Sequence, residues 1–346
     1  LLSAAMRRKG LALRPVWEPK NPGLKRVKGL ILPAILAVGI VQVNSGLDRI
    51  IALLLSPGDA AMSSFAIFGR EVQYPMSLGA PAVLYFGARL YMFPLGVFGI
   101  ALATAVFPLF SRLAVRGDTA GFSKAVSHGV RLALFIGIPS SVGLILVCEP
   151  FIAVWLRYGR VVTDAAEAQT VARISWVVLY YSVGVWAYCV VHILTRAFYA
   201  MENIRTPRRV AMYAAGANLV LNLILVWFLR EGGLALATAR CAIVQVPVLW
   251  YLLGGRVGGL RVGEVLSSAA RTCVASLAMG VACLFGMTRL APIMVESGGA
   301  GLSAAQVAIG LAAGLIAFVL AAAALRMPEL KEIFSLRRPE KETSTG

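Results

Sequence analysis

The chain has 346 residues, 59% hydrophobic and only 14% charged, about half the charged share of an ordinary soluble domain. That excludes a globular enzyme built around one core and predicts an all-α polytopic membrane protein. The net charge of +17 would suit nucleic acid or anionic lipid, but the bases are spread over separate loops with no aromatic-interleaved basic groove, so no nucleic-acid partner is expected.

The chain opens LLSAAMRRKG with no signal-peptide pattern. LLSAAM reads as the tail of an earlier apolar helix, so a fragment lacking its N-terminal part is expected. Crossing a roughly 30 Å hydrocarbon core takes about 20 apolar residues. About eight such spans follow, near 30–55, 83–110, 130–154, 174–199, 210–229, 233–253, 268–288 and 303–325. They divide the chain into a basic arm (1–29), a first group of five spans (30–229), three further spans (230–326) and a tail (327–346). Gly232-Gly233 is expected to separate the fifth span from the sixth. The connection from Ser56 to Gly79 is expected to be an ordered outside loop or a short surface helix. Gly310 and Gly314 form a G-x-x-x-G pattern of close helix packing.

If alternate loops share a side, 23 of the Lys and Arg residues fall on the side of the N-terminal arm and six on the other. Arg49, Arg89, Arg196 and Arg240 stay at membrane depth or at helix ends, which accounts for all 33. Bases concentrate on cytoplasmic loops, so both ends of the chain are expected in the cytoplasm. A multi-pass membrane protein follows.

Polar residues inside the spans are few. Arg89 stands mid-run in APAVLYFGARLYMFPLGVFGIALATAVFPLF. A guanidinium there costs at least about 2.5–3.5 kcal/mol, so it faces a watery cavity or a partner. It forks onto phosphate bidentately, which makes a phosphate-bearing cargo one reading and a structural pairing, with Asp48 or a backbone carbonyl, the other. Pro94, with Gly87, Gly96 and Gly99 nearby, permits a helix break beside a cavity. Asp48 lies on the first span with Gln42 and Asn44. Asn218 and Asn222 share one helix face, and Thr238 and Arg240 lie on the next span. One carboxylate, two amide oxygens and a hydroxyl suit a small cation such as sodium; interhelical hydrogen bonding is the competing reading. Arg196 is a snorkelling base, a gate at the cytoplasmic mouth or a phosphate contact. Pro207 stops or restarts a helix at that face. There is no G-x-S-x-G, P-loop or Asp-rich metal motif, the five cysteines are scattered and the two histidines form no metal pattern. A transporter rather than an enzyme is expected, with no cofactor besides sodium as a coupling ion.

Ala88–Arg112 (ARLYMFPLGVFGIALATAVFPLFSR), Arg196–Pro207 (RAFYAMENIRTP), the Asn218/Asn222 helix with GGLALATA after it, and Pro33–Ala52 together resemble the MurJ (MviN) family of lipid II flippases, within the multidrug/oligosaccharidyl-lipid/polysaccharide exporter superfamily. The resemblance implies the last eight of fourteen helices of a two-lobed transporter, six N-terminal helices being absent. It implies movement of the undecaprenyl-diphosphate-linked peptidoglycan precursor lipid II from the inner to the outer leaflet by alternating access. Arg89 then matches the family's cavity arginine, with Arg196 a second substrate contact. Asp48, Asn218, Asn222 and Thr238 match positions of a proposed sodium site. Ala88 stands where the family usually has Asp, and Asn203 where it often has Asp. A related polysaccharide-lipid or drug exporter is the alternative.

Overall fold

The computed structural model describes residues 46–59, 61–67, 70–158, 164–294 and 300–335. The basic arm, Gln42, Asn44 and most of the first predicted span lie outside the described residues. Only the end of that span is seen, as helix α1 over 46–54.

The segment after α1 does not become a helix. Its Ser64–Ile67 (β1) pairs antiparallel with Arg70–Gln73 (β2), Phe65 opposite Val72 and Ala66 opposite Glu71. Aromatic and β-branched residues (Phe65, Ile67, Val72) favour the extended form, and Phe65 stacks on Tyr74.

The remainder is helical. α2 (Ala80–Pro94) runs through a π-helical stretch, Leu95–Ile100, into α3 (Ala101–Val115). α4 is Thr119–Tyr158, α5 Asp164–Ser182, α6 Val185–Ala200, α7 Arg205–Leu229 and α8 Glu231–Val257. α9 is Val262–Phe285, followed by a π-helical turn (Gly286–Leu290) and the short α10 (Ala291–Met294). α11 (Ala300–Ala324) and α12 (Pro328–Ser335) close the chain. Among the described residues six helices are long and apolar enough to cross a membrane, or seven if α5 and α6, bent by 41° at their junction, count as one span. This is a multi-pass membrane protein.

The predicted break at Pro94 is not a break. Proline removes one backbone donor and crowds the carbonyl four residues back. Here the helix widens for one and a half turns and continues. Gly99 sits in that segment, where a Cβ would meet the Cys189 sulfur at 3.0 Å. The real interruption falls in the predicted fourth span. α5 ends at Ser182, whose hydroxyl turns back to the Val178 carbonyl at 2.6 Å. The Trp186 amide, freed by the bend, donates to Ser141 Oγ of α4 at 3.3 Å. A membrane helix can break only where such a partner is at hand.

α4 is the spine. On one side it packs against α9 and α11, through Phe135, Ala275, Met279 and Phe318. On the other it meets α3 and α6, through Phe110, Phe122, Val126, Ile193 and Phe198. A third cluster joins α1, α2, α5 and α8, including Ile51, Val83, Ile174 and Leu234. Large side chains such as Phe228, Tyr251 and Leu277 remain exposed, as expected where the solvent is lipid. Small residues set the close approaches. Gly310 would place a Cβ 2.5 Å from Met287 Cγ, and Gly314 would place one 3.4 Å from Cys283 Cβ, so this G-x-x-x-G does seat α11 on α9. Gly232 and Gly233 are not the linker predicted of them. The turn is made by Arg230, at φ 52°, and both glycines lie in the first turn of α8, Gly233 against the Leu225 backbone.

Polar ties hold the two ends. At one, Arg173 of α5 pairs with Glu231 of α8 and donates to the Leu78 carbonyl at 2.9 Å. At the other, Glu329 of α12, 1% exposed, accepts from Arg131 Nη2 at 2.7 Å and from the Ser268 hydroxyl at 2.8 Å. Arg131 also lies 3.5 Å from Glu264, and His128 Nε2 lies 2.8 Å from Glu332. Ser123 Oγ donates to the Gly259 carbonyl at 2.7 Å, closing the α8–α9 turn onto α4. Burial pushes the Glu329 carboxyl up, but its backbone amide, Ser268 and Arg131 outweigh it and hold it below the ordinary 4.5. A depressed carboxyl contributes stability above its unfolded pKa and loses it as pH falls through the folded one. The melting temperature of the detergent-solubilised protein should therefore fall as pH drops below about 4.5, with part of that fall absent in Glu329→Gln. At neutral pH Glu329→Gln should cost about 1–3 kcal/mol, the value of hydrogen bonds to a charged group. An unchanged melting curve at neutral pH would contradict this account of the tie.

Candidate functional site

α2 has two faces. Val83, Leu84, Gly87, Leu90 and Tyr91 are buried. Gly87 admits α5, since a Cβ there would come 2.6 Å from Val177 Cγ1. Tyr85, Arg89 and Phe93 project from the opposite, exposed face. Four residues apart on a helix, Tyr85 and Arg89 meet: Arg89 Nη2 donates to the Tyr85 hydroxyl at 3.1 Å, and the guanidinium carbon lies 5.0 Å from the ring centroid. A second guanidinium shares that ring. Arg49 of α1 lies 5.7 Å from the same centroid. Each cation–π contact is worth roughly 0.5–1 kcal/mol at an exposed site. Among the described residues neither arginine has a carboxylate within ion-pair distance, so the structural pairing of Arg89 with Asp48 is not what forms.

Arg89 also lines a groove of about 700 Å³ between α2, α4, α9 and α11. Its walls are otherwise apolar or weakly polar, with Phe93, Pro139, Phe151, Met279, Leu315 and Phe318 prominent. Arg89 is the one charged side chain on those walls among the described residues.

Asp48, one residue before Arg49, turns the other way. Its Oδ1 accepts from Asn222 Nδ2 at 2.5 Å. Asn222 Nδ2 also donates to Asn218 Oδ1 at 3.0 Å, Asn218 Nδ2 donates to Thr238 Oγ1 at 3.1 Å, and Thr238 donates to the Leu234 carbonyl at 3.0 Å. The structure thus brings together all four residues that the sequence grouped, across α1, α7 and α8. Asn222 is fully buried, and its Oδ1 has no hydrogen-bond partner. A buried carbonyl oxygen without a donor is the group that a cation would satisfy.

Arg196 stands elsewhere. Its guanidinium carbon lies 5.8 Å from the Phe107 ring of α3, and it is not on the walls of the Arg89 groove. Pro207 lies in the first turn of α7, where its missing amide costs nothing. Asn203 prepares that turn by accepting the Thr206 amide at 3.2 Å, so the amide side chain serves as the acceptor at the position where Asp had been expected. Sequence reasoning missed Arg49 and Tyr85 as parts of the site. The Tyr85–Arg89 spacing was there to be read, but the approach of Arg49 joins residues far apart in the chain.

A bundle of long apolar helices carrying an apolar groove with one arginine on its wall, and a buried polar cluster beside it, defines a multi-pass membrane protein. The model of the lipid II flippase MurJ family matches residues 2–297. The chain is 30% identical over 279 residues to a probable lipid II flippase MurJ of Vibrio cholerae, covering 80% of this chain and 47% of that protein. It is 26% identical over 250 residues to the lipid II flippase MurJ of Burkholderia cenocepacia, covering 72% of this chain and 43% of that one. A solved structure of lipid II flippase MurJ in an inward closed conformation shares the fold, with TM-score 0.64 at 19% identity over 92% of this chain and 59% of the other. The chain belongs to the lipid II flippase MurJ family. It spans about half the length of the relatives it matches.

The cluster makes its own prediction. Asn222→Leu removes both donors at once and leaves Asp48 and Asn218 oxygens unmatched, a cost of roughly 1–3 kcal/mol. The melting temperature of the purified variant should drop accordingly, and Asn218→Leu should drop it less, because the Asp48 contact survives. Equal losses would mean that the Asp48–Asn222 bond is not the centre of the cluster.

Proposed function

We propose that this chain is the C-terminal part of a lipid II flippase and supplies eight of its fourteen membrane helices. In this reading the first group of five spans, 30–229, forms the C-terminal lobe beside a central cavity, 230–326 adds three further helices, both ends of the chain are cytoplasmic, and the protein sits in the bacterial inner membrane. Six N-terminal helices complete it. The observation that carries the reading is Arg89 on the wall of an otherwise apolar groove. A permanently charged fork beside a long apolar channel matches an amphiphile with a phosphate head and a hydrocarbon tail. The names of the relatives support the same cargo. Arg196 is a second contact nearer the end where cargo enters.

The Asp48–Asn222–Asn218–Thr238 cluster is proposed to hold the coupling cation, sodium, with the Asn222 oxygen as one ligand. Because Asp48 and Arg49 are adjacent, a cation at the first can bias the helix that carries the second. Movement of one charge across the membrane is worth about 2.3 kcal/mol per 100 mV, enough to drive such a step.

In a strain depleted of its native flippase, the full-length protein should restore growth, and Arg89→Ala should abolish the rescue. Rescue undiminished by Arg89→Ala would remove Arg89 as the cargo residue. A well-expressed full-length protein that fails to rescue would favour a related polysaccharide-lipid or drug exporter. Sodium should raise the melting temperature of the wild type in potassium buffer and leave Asp48→Asn unmoved; an equal response in both would favour interhelical hydrogen bonding as the role of the cluster.

A further inference from the structure

The flippase reading assigns one arginine to the cargo, yet two meet at Tyr85. Their guanidinium carbons lie 5.7 and 5.0 Å from one ring centroid, so they are at most about 11 Å apart. Both side chains are exposed, and neither has a carboxylate partner among the described residues. The obvious candidate, Asp48, is held away by Asn222. Two guanidiniums around one ring, with no carboxylate partner among the described residues, repel one another, and an anion between them removes the repulsion.

Resting on the flippase reading, we propose that Arg49 and Arg89 form a divided clamp for a diphosphate, each taking one phosphate, with Tyr85 holding the two forks in register. The groove orders them. Arg89 lines it and Arg49 does not, so a hydrocarbon tail in the groove delivers its attached phosphate to Arg89. The outer phosphate, further from the tail, meets Arg49. Each fork makes a bidentate pair. Arg49 is therefore the residue that distinguishes a lipid diphosphate from a lipid monophosphate.

The test uses the full-length protein in lipid nanodiscs, with binding read by native mass spectrometry. The probes are undecaprenyl diphosphate, undecaprenyl phosphate and inorganic pyrophosphate. Arg49→Gln should weaken diphosphate-lipid binding about tenfold or more while leaving the monophosphate within about twofold, and Arg49→Lys should recover part of the loss. Arg89→Gln should weaken both lipids. Tyr85→Phe, which keeps the ring but loses the Arg89 hydrogen bond, should weaken both lipids no more than about twofold, and Tyr85→Leu, which releases both forks, should weaken both lipids, the diphosphate more. Melting curves matching the wild type verify that each variant is folded. Equal loss of both lipids in Arg49→Gln, or loss of neither, overturns the clamp and leaves the flippase reading standing through Arg89→Gln. Pyrophosphate binding as tightly as the lipid diphosphate overturns the ordering by the groove. A wild type that binds no diphosphate lipid above a phosphatidylglycerol background fails the flippase reading itself, and the clamp with it.

Discussion

Asp48 gives a carboxylate oxygen to the Asn222 amide, and the rest of the site depends on that bond. Were Asp48 to turn toward Arg89 or Arg49, the two charges would neutralise one another inside the bundle. Held by Asn222, the carboxylate instead completes a run of polar groups through Asn218 and Thr238 to the Leu234 carbonyl. Adjacent residues of one helix thus face different neighbours, Asp48 toward Asn222 and Arg49 toward Tyr85, because successive side chains on a helix point about 100° apart.

Elsewhere polarity is kept to the ends. Arg173 with Glu231 ties one end of the bundle. Arg131 with Glu329, Glu264 and Ser268 ties the other. Between them packing is by apolar side chains and by glycines that let backbones approach, at Gly87, Gly99, Gly310 and Gly314. Such packing carries little hydrophobic driving force within a bilayer, so shape and the few polar contacts decide which helices associate. Irregular backbone is confined to places that can absorb it. The α5–α6 bend has the Ser141 hydroxyl at hand, and the π-helical stretch after Pro94 keeps the helix continuous.

The groove and the arginines need each other. An apolar channel alone would admit any lipid acyl chain, and an exposed guanidinium alone would attract any anionic headgroup. Their junction at Arg89 sets the two preferences side by side, a charged fork at the edge of an apolar wall.

The sequence by itself determined the membrane class and the location of seven described apolar segments, and it singled out Arg89, because hydrocarbon makes every internal charge conspicuous. It also grouped Asp48, Asn218, Asn222 and Thr238, because so few oxygen-bearing side chains occur at membrane depth. Only the tertiary structure decided which way each of them turns. Asp48 had two possible partners, and the approach of α7 to α1 selected Asn222. Arg49 looked like a helix-end base until the packing of α1 on α2 set it beside Tyr85. The sequence misassigned Pro94 and Gly232-Gly233 for a related reason. A proline or a glycine states what the backbone can do, whereas the neighbouring helix determines whether it bends, continues or packs. Contacts between residues far apart in the chain are written in no local pattern, and in this protein those contacts place the charges.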